Sequence, residues 1–207
     1  MQQLLERAQS FRHHVSADSD KYRRLAEGQE PQALFITCSD SRVIPAHITG
    51  AGPGDLFELR TAGSIVPPYD HSPACSEAAT ISYAVEVLGV RDIVVCGHSH
   101  CGALDALVSG TDLAGLPGLG RWLDLARPSL GLGRPGADSS AETSAETAYD
   151  PALTRLARRH VAAQLTTLAA YPSVRPGVER GDMRLHGWFY RIDTGEVVVL
   201  NWSAGEG

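Results

Sequence analysis

Two short polar motifs, each closing an apolar run, limit what this chain can fold into more than anything else in it. Cys38-Ser39-Asp40-Ser41-Arg42 follows Ala33-Leu34-Phe35-Ile36-Thr37, and His98-Ser99-His100-Cys101-Gly102 follows Asp92-Ile93-Val94-Val95-Cys96. Runs of this length, rich in β-branched residues and ended by small polar ones, read as buried strands. Strands of that kind in one parallel sheet deliver the residues at their C-terminal ends to a common crevice, where open α/β sheets bind ligands. Cys38, His98 and Cys101 would then surround one point. Two thiolates and an imidazole suit Zn²⁺, and three protein ligands leave a fourth position for water or substrate. Asp40 and Arg42 come two and four residues after Cys38, close enough to act on whatever fills that position. The pattern predicts a catalytic zinc site. The alternatives are a closed structural zinc site or unrelated buried thiols, but structural sites usually bring four Cys/His ligands and no fourth stands at a suitable spacing.

The rest of the chain supplies the frame. Residues 3–14 and about 18–28 carry Leu4, Leu5, Ala8, Phe11 and Val15, then Tyr22, Leu25 and Ala26, at helical spacing. Two helices ahead of the first strand, at 32–37, cannot bury much alone, so they form a lid or an arm that packs on a second subunit. Pro45 opens a short helix, Leu56–Arg60 makes the second strand, and a helix over about 74–88 ends at Gly89. The third strand, 92–97, delivers His98, and Gly102 opens another helix. Residues 110–150 turn Gly-, Pro- and then Ser/Glu-rich, which predicts a mobile insert loop in its second half. A helix at about 151–169 follows. The runs 183–190 and 196–200 flank Asp193-Thr194-Gly195, a β-hairpin signal. The expected fold is α/β: a mostly parallel central sheet of about four strands, an antiparallel C-terminal edge strand, flanking helices and an N-terminal helical arm. One domain over 1–207 accommodates all of it, with 1–28 as the arm.

Composition narrows the function classes. A net charge of −6, with no Lys/Arg run, argues against nucleic acid, and no apolar stretch approaches the ~20 residues that span a bilayer. The expectation is a cytoplasmic protein with neither nucleic-acid nor membrane partners. The cysteines at 38, 75, 96 and 101 suit metal ligands plus buried thiols better than a disulfide framework; Cys75 and Cys96 are assigned to packing.

The two ligand motifs, together with Gly28-Gln29-Glu30-Pro31, Pro53-Gly54-Asp55, Val66-Pro67-Pro68-Tyr69 and Leu185-His186-Gly187-Trp188, give the chain a resemblance to the β-class carbonic anhydrases that runs from Phe11 to about Leu200. The resemblance implies one Zn²⁺ per chain on Cys38, His98 and Cys101, with Asp40 and Arg42 as the catalytic pair. It also implies a substrate cleft shaped by Gln29, Phe57 and Tyr83 from across a dimer interface, with the backbone amide of Gly102 as a further donor. The family dimerises through its N-terminal helices, so a homodimer or homotetramer is expected. Many relatives have Arg-Asn-x-x-Asn where this chain has Arg60-Thr61-Ala62-Gly63-Ser64, so hydrogen bonding in that loop must differ. Some relatives hold a regulatory bicarbonate with a Trp, an Arg and a Tyr. The matching positions here are Phe35, Arg60 and Tyr190, and loss of the indole favours a constitutively open site.

The activity so implied is reversible hydration of carbon dioxide to bicarbonate and a proton, by zinc-bound hydroxide that the Asp40–Arg42 dyad orients. Two thiolates cancel the charge of Zn²⁺, so bound water is acidified less than over three imidazoles; Asp40, kept ionised by Arg42, makes up the difference. Two other functions fit the same residues: a zinc hydrolase acting on carbonyl sulfide or carbon disulfide, and a non-catalytic zinc protein that binds bicarbonate. Single residues have plainer alternatives. Asp40 and Arg42 could be a surface ion pair, Gln29 a loop residue, Phe57 and Tyr83 core aromatics, and His100 a solvated loop histidine rather than a proton shuttle. Whether Asp40 stays on Arg42 or closes the site by binding zinc itself is open at this level.

Overall fold

The structure, a computed structural model, describes residues 1–69, 75–132 and 151–203, the side chains of 151 and 152 excepted. Its frame is a five-stranded sheet in the order β2-β1-β3-β4-β5, where β1 is Ala33–Cys38, β2 Leu56–Thr61, β3 Asp92–His98, β4 Arg184–Tyr190 and β5 Val197–Leu200. The first four pair in parallel, and β5 returns antiparallel to β4. Strands β1 and β3 are buried along almost their whole length, as apolar strands covered on both faces should be. Period-two alternation sorts their side chains. Leu34, Ile36, Ile93 and Val95 enter the larger core, while Phe35, Val94 and Cys96 form a smaller cluster with Trp188. The Phe35 and Trp188 rings meet edge to face at 5.7 Å. Buried Cys96 behaves as packing, its thiol pushed up to about 12 by desolvation.

Helices α1 (Gln2–Ala17) and α2 (Ser19–Glu27) bury no residue of their own, which fits an arm. Helix α3 (Pro45–Thr49) opens on its proline, α4 is Ser76–Ser82, α5 Gly102–Val108, α6 Pro117–Asp124, α7 Arg127–Leu130, α8 Pro151–Ala169 and α9 Arg175–Arg180. The expected helix over 74–88 divides: its last turn, Tyr83–Val87, is a π-turn, a local widening that sequence periodicity does not register. The expectation of an insert loop over 110–150 needs correction, since α6 and α7 lie inside it. Leu123, Ala126 and Leu130 enter the core beside Cys101 and Leu104, and this burial, rather than the Gly/Pro-rich composition, decides the local structure. Residues 133–150, where the Ser/Glu-rich stretch falls, lie outside the described residues.

Helix α8 approaches β3 and β4 closely because two strand residues facing it are glycines. A Cβ on Gly97 would stand 2.7 Å from Val161 Cγ2, and one on Gly187 would stand 3.0 Å from Leu165 Cδ1. At the opposite end of the sheet Asp92 receives both the guanidinium of Arg184 and the ring of His186, joining β3 to β4. No helix among the described residues is long and apolar enough to cross a membrane.

Candidate metal centre and active site

The parallel register brings the two ligand motifs together. Cys38 ends β1 and His98 ends β3, while Cys101 sits at the cap of α5, after a turn in which His100 takes a left-handed φ of 55°. Cys38, His98 and Cys101 are buried, and their ligating atoms lie within 4.8 Å of one another. The imidazole is already oriented: Nδ1 is 2.8 Å from the carbonyl oxygen of Ser99 and donates to it. Among the described residues, Nε2 has no hydrogen-bond partner and remains a buried lone pair. A ligating histidine is normally held this way, its second ring nitrogen bonded to a carbonyl. The Cys38 thiol is pulled down to about 4, foremost by the hydrogen bond from Cys101, and the Gly63 amide also bonds to it. Cys101 is correspondingly pushed up, since it keeps the proton it shares with Cys38. Two soft sulfurs and an imidazole nitrogen in one buried cluster match the donor set of Zn²⁺.

Asp40 and Arg42 stand together at the edge of this cluster. Asp40 Oδ1 accepts from the Arg42 backbone N–H and Nε, both at 2.9 Å, and Oδ2 accepts from Nη2 at 2.7 Å. The guanidinium holds the carboxyl well below the usual carboxylate range. The same Nη2 donates to the His100 carbonyl at 2.9 Å, so Arg42 ties one ligand loop to the other. Asp40 faces Arg42 and is not among the clustered ligand atoms.

Arg60, at the position matching a regulatory-bicarbonate ligand, is otherwise engaged. Its Nε donates to Cys38 O at 2.9 Å, and Nη2 donates to Asp40 O at 3.0 Å and Val43 O at 2.7 Å. The guanidinium thus braces the loop that carries Cys38 and the dyad. Phe35, at the matching Trp position, is fully buried in the core.

The cleft residues divide. Phe57 and Tyr83 stack on each other at 5.9 Å and 29°, and Tyr83 is an exposed aromatic. Gln29 is exposed just ahead of β1, and Gly102 is exposed at the start of α5. His100 lends its carbonyl rather than its ring to the dyad.

Beneath the Cys38–His98–Cys101 cluster lies a layer that sequence reasoning missed. The Gly63 N–H donates to Cys38 Sγ at 3.3 Å. Trp122 Nε1 donates to Ala62 O at 2.9 Å, His160 Nε2 meets Gly63 O at 2.9 Å, and Val66 N donates to Gln164 Oε1 at 2.8 Å. These bonds hold the 62–66 backbone from outside the loop. One signal was available: His160 and Gln164, one helical turn apart, border the apolar face of α8, and buried polar groups need partners.

The family model for carbonic anhydrase matches residues 33–197. A carbonic anhydrase of Pseudomonas aeruginosa is 44% identical over 188 residues, covering 91% of this chain and 81% of that one. Among solved structures, the β-carbonic anhydrase CcaA superposes with a TM-score of 0.85 at 34% identity, over 100% of this chain and 92% of the other. One of two tetrameric β-carbonic anhydrases of Sordaria macrospora gives a TM-score of 0.77 at 30% identity, over 96% and 94%.

Proposed function

This chain belongs to the β-class carbonic anhydrases, and from that premise we propose that it catalyses the reversible hydration of carbon dioxide at the Cys38–His98–Cys101 cluster, with one Zn²⁺ per chain. The observation that carries the assignment is the convergence of two thiols with the unpartnered Nε2 of His98. Bound there, Zn²⁺ supplies a Lewis acid that lowers the pKa of a water molecule.

The chain's own residues supply the rest. Cys38 and Cys101, as thiolates, cancel the charge of a divalent cation, so a proton acceptor close by must help ready the water. Asp40 is that acceptor. Its hydrogen bonds from Arg42 keep it ionised, and each carboxylate oxygen retains acceptor capacity for a water O–H. By accepting that proton in a hydrogen bond, Asp40 aims the oxygen's lone pair at the carbon of the substrate. Arg42 keeps the charge on Asp40 and fixes its direction; with the carboxylate turned to Arg42, the site is open rather than closed by Asp40. Arg60, committed to three backbone carbonyls, supports a site without bicarbonate inhibition.

Phe57 and Tyr83 offer an apolar wall suited to an uncharged gas, and Gln29 and the Gly102 amide offer donors to developing negative charge. Gln29, Phe57 and Tyr83 serve the site of a second copy of the chain, in a single-domain protein over 1–207 that dimerises or tetramerises through the 1–28 arm. The exposed apolar side chains Leu4, Leu5 and Phe11 on α1 support this, as does the tetrameric state of the Sordaria relatives. A protein that only bound bicarbonate would leave the Asp40–Arg42 dyad without a task.

Asp40→Asn tests the assignment. Zinc content should stay at about one per chain, while stopped-flow carbon dioxide hydration falls by roughly 100-fold or more, the size of a lost proton-handling group. An unchanged rate would remove Asp40 from the mechanism.

A further inference from the structure

Gly63 is the hinge of the layer beneath the metal ligands. Its φ of 77° and the φ of 57° at Ser64 put two successive residues in left-handed backbone, which an L-residue such as Ser64 holds only where surrounding contacts impose it. The two peptide planes that meet at Gly63 are each gripped from outside. In the plane joining Ala62 to Gly63, the carbonyl accepts from Trp122 Nε1 and the N–H donates to Cys38 Sγ. In the plane joining Gly63 to Ser64, the carbonyl lies 2.9 Å from His160 Nε2.

A carbonyl oxygen can only accept, so His160 is the tautomer with its proton on Nε2. Its Nδ1 accepts from the Gln164 amide nitrogen at 3.3 Å and lies 2.8 Å from Ser129 Oγ, whose single proton is shared between this ring and the Ala126 carbonyl at 2.6 Å. Gln164 in turn accepts from the Val66 N–H. The ring is essentially fully buried, and burial holds it neutral, its pKa pushed down to about 4. Helix α8 can set it there because Gly97 and Gly187 let the helix close on the sheet.

We propose that His160 is a positioning residue for the metal centre: its Nε2–H fixes the Gly63 carbonyl, so that the Gly63 N–H stays on the Cys38 sulfur. An amide hydrogen bond to a ligating thiolate withdraws part of its donor density. The chain from Gln164 and Ser129 through His160 and Gly63 to Cys38 would then set both how firmly the metal is held and how much thiolate charge reaches it. This inference rests on the zinc assignment above.

The test uses His160→Leu, which fills the same space without a donor, and His160→Gln, whose amide nitrogen can take the place of Nε2. Leu168→Ala, a fully buried core change on α8, serves as a control for lost stability alone. Zinc affinity is read by chelator competition, and the thiolate-to-metal charge-transfer band by Co²⁺ substitution. His160→Leu should weaken zinc binding roughly ten- to a hundredfold, the usual cost of losing a partner behind a metal ligand, and should shift the cobalt band. His160→Gln should recover both, and Leu168→Ala should lower the melting temperature without moving either.

A wild-type affinity and band in His160→Leu, or a His160→Gln variant as weak as His160→Leu, overturns the proposal. Should His160→Leu fail to fold, ¹⁵N NMR of the wild-type imidazole decides: a neutral ring protonated on Nε2 at pH 7 is expected, and a charged ring or the Nδ1 tautomer overturns the relay. Wild-type protein that shows no cobalt–thiolate band at all would overturn the metal assignment itself, and the relay with it.

Discussion

His160 carries a measurable consequence at the scale of a single residue. Its ordinary pKa of 6.5 is pushed down to about 4 in the folded chain, so between those values the unfolded chain binds a proton that the native state does not. Stability therefore rises with pH across that window: the contribution is fully present above about 6.5 and is lost as pH falls toward about 4. The slope for one proton approaches about 1.4 kcal/mol per pH unit. Urea unfolding should show the wild-type midpoint dropping over this window and a shallower drop in His160→Gln; equal slopes would mean that His160 is not the group being protonated. The contrast with Asp40 shows which residues sequence can assign. Cys38, Asp40, Arg42, His98 and Cys101 stand in two compact motifs, so their convergence is legible from residue type and spacing. His160 and Gly63 are 97 residues apart in the chain, and only the folded sheet brings them together. Arg60 was visible as a charge, but its use as a three-carbonyl brace depends on how the 38–43 loop turns.

At the scale of elements, the strands were legible and the connections less so. Strands β1 and β3 announce themselves as apolar β-branched runs, and the 193–195 turn announces the closing hairpin. Helices α6 and α7 were not legible, because Gly and Pro interrupt their segment and burial of Leu123, Ala126 and Leu130 against α5 gives them structure. The glycine gap between sheet and α8 makes a prediction of its own. Gly97→Ala puts a methyl group 2.7 Å from Val161 Cγ2, one residue before a metal ligand. Overpacking of this kind costs roughly 1–3 kcal/mol, and denaturant unfolding should register that loss together with weaker zinc retention, since His98 must shift with the strand. Unchanged stability would show that α8 can withdraw freely from the sheet.

For the molecule as a whole, the sheet, the ligand loops and the layer beneath them make a preformed site, whereas no residue of the arm of α1 and α2 is fully buried within its own chain. In the proposed enzyme, metal and dyad come from one copy, and the apolar wall and Gln29 come from another. The Asp40 carboxylate is held by Arg42 through both oxygens, which keeps it ionised throughout the neutral range and, in the proposed enzyme, turned away from the metal. The most direct measurement is stopped-flow carbon dioxide hydration on protein carrying about one zinc per chain, at about pH 7 and again near pH 8.5, either side of the range where metal-bound water titrates. An open site with Asp40 on Arg42 predicts fast turnover at both values. Turnover only at the higher value would contradict the open geometry, and full zinc occupancy with no turnover at either would contradict the assigned activity.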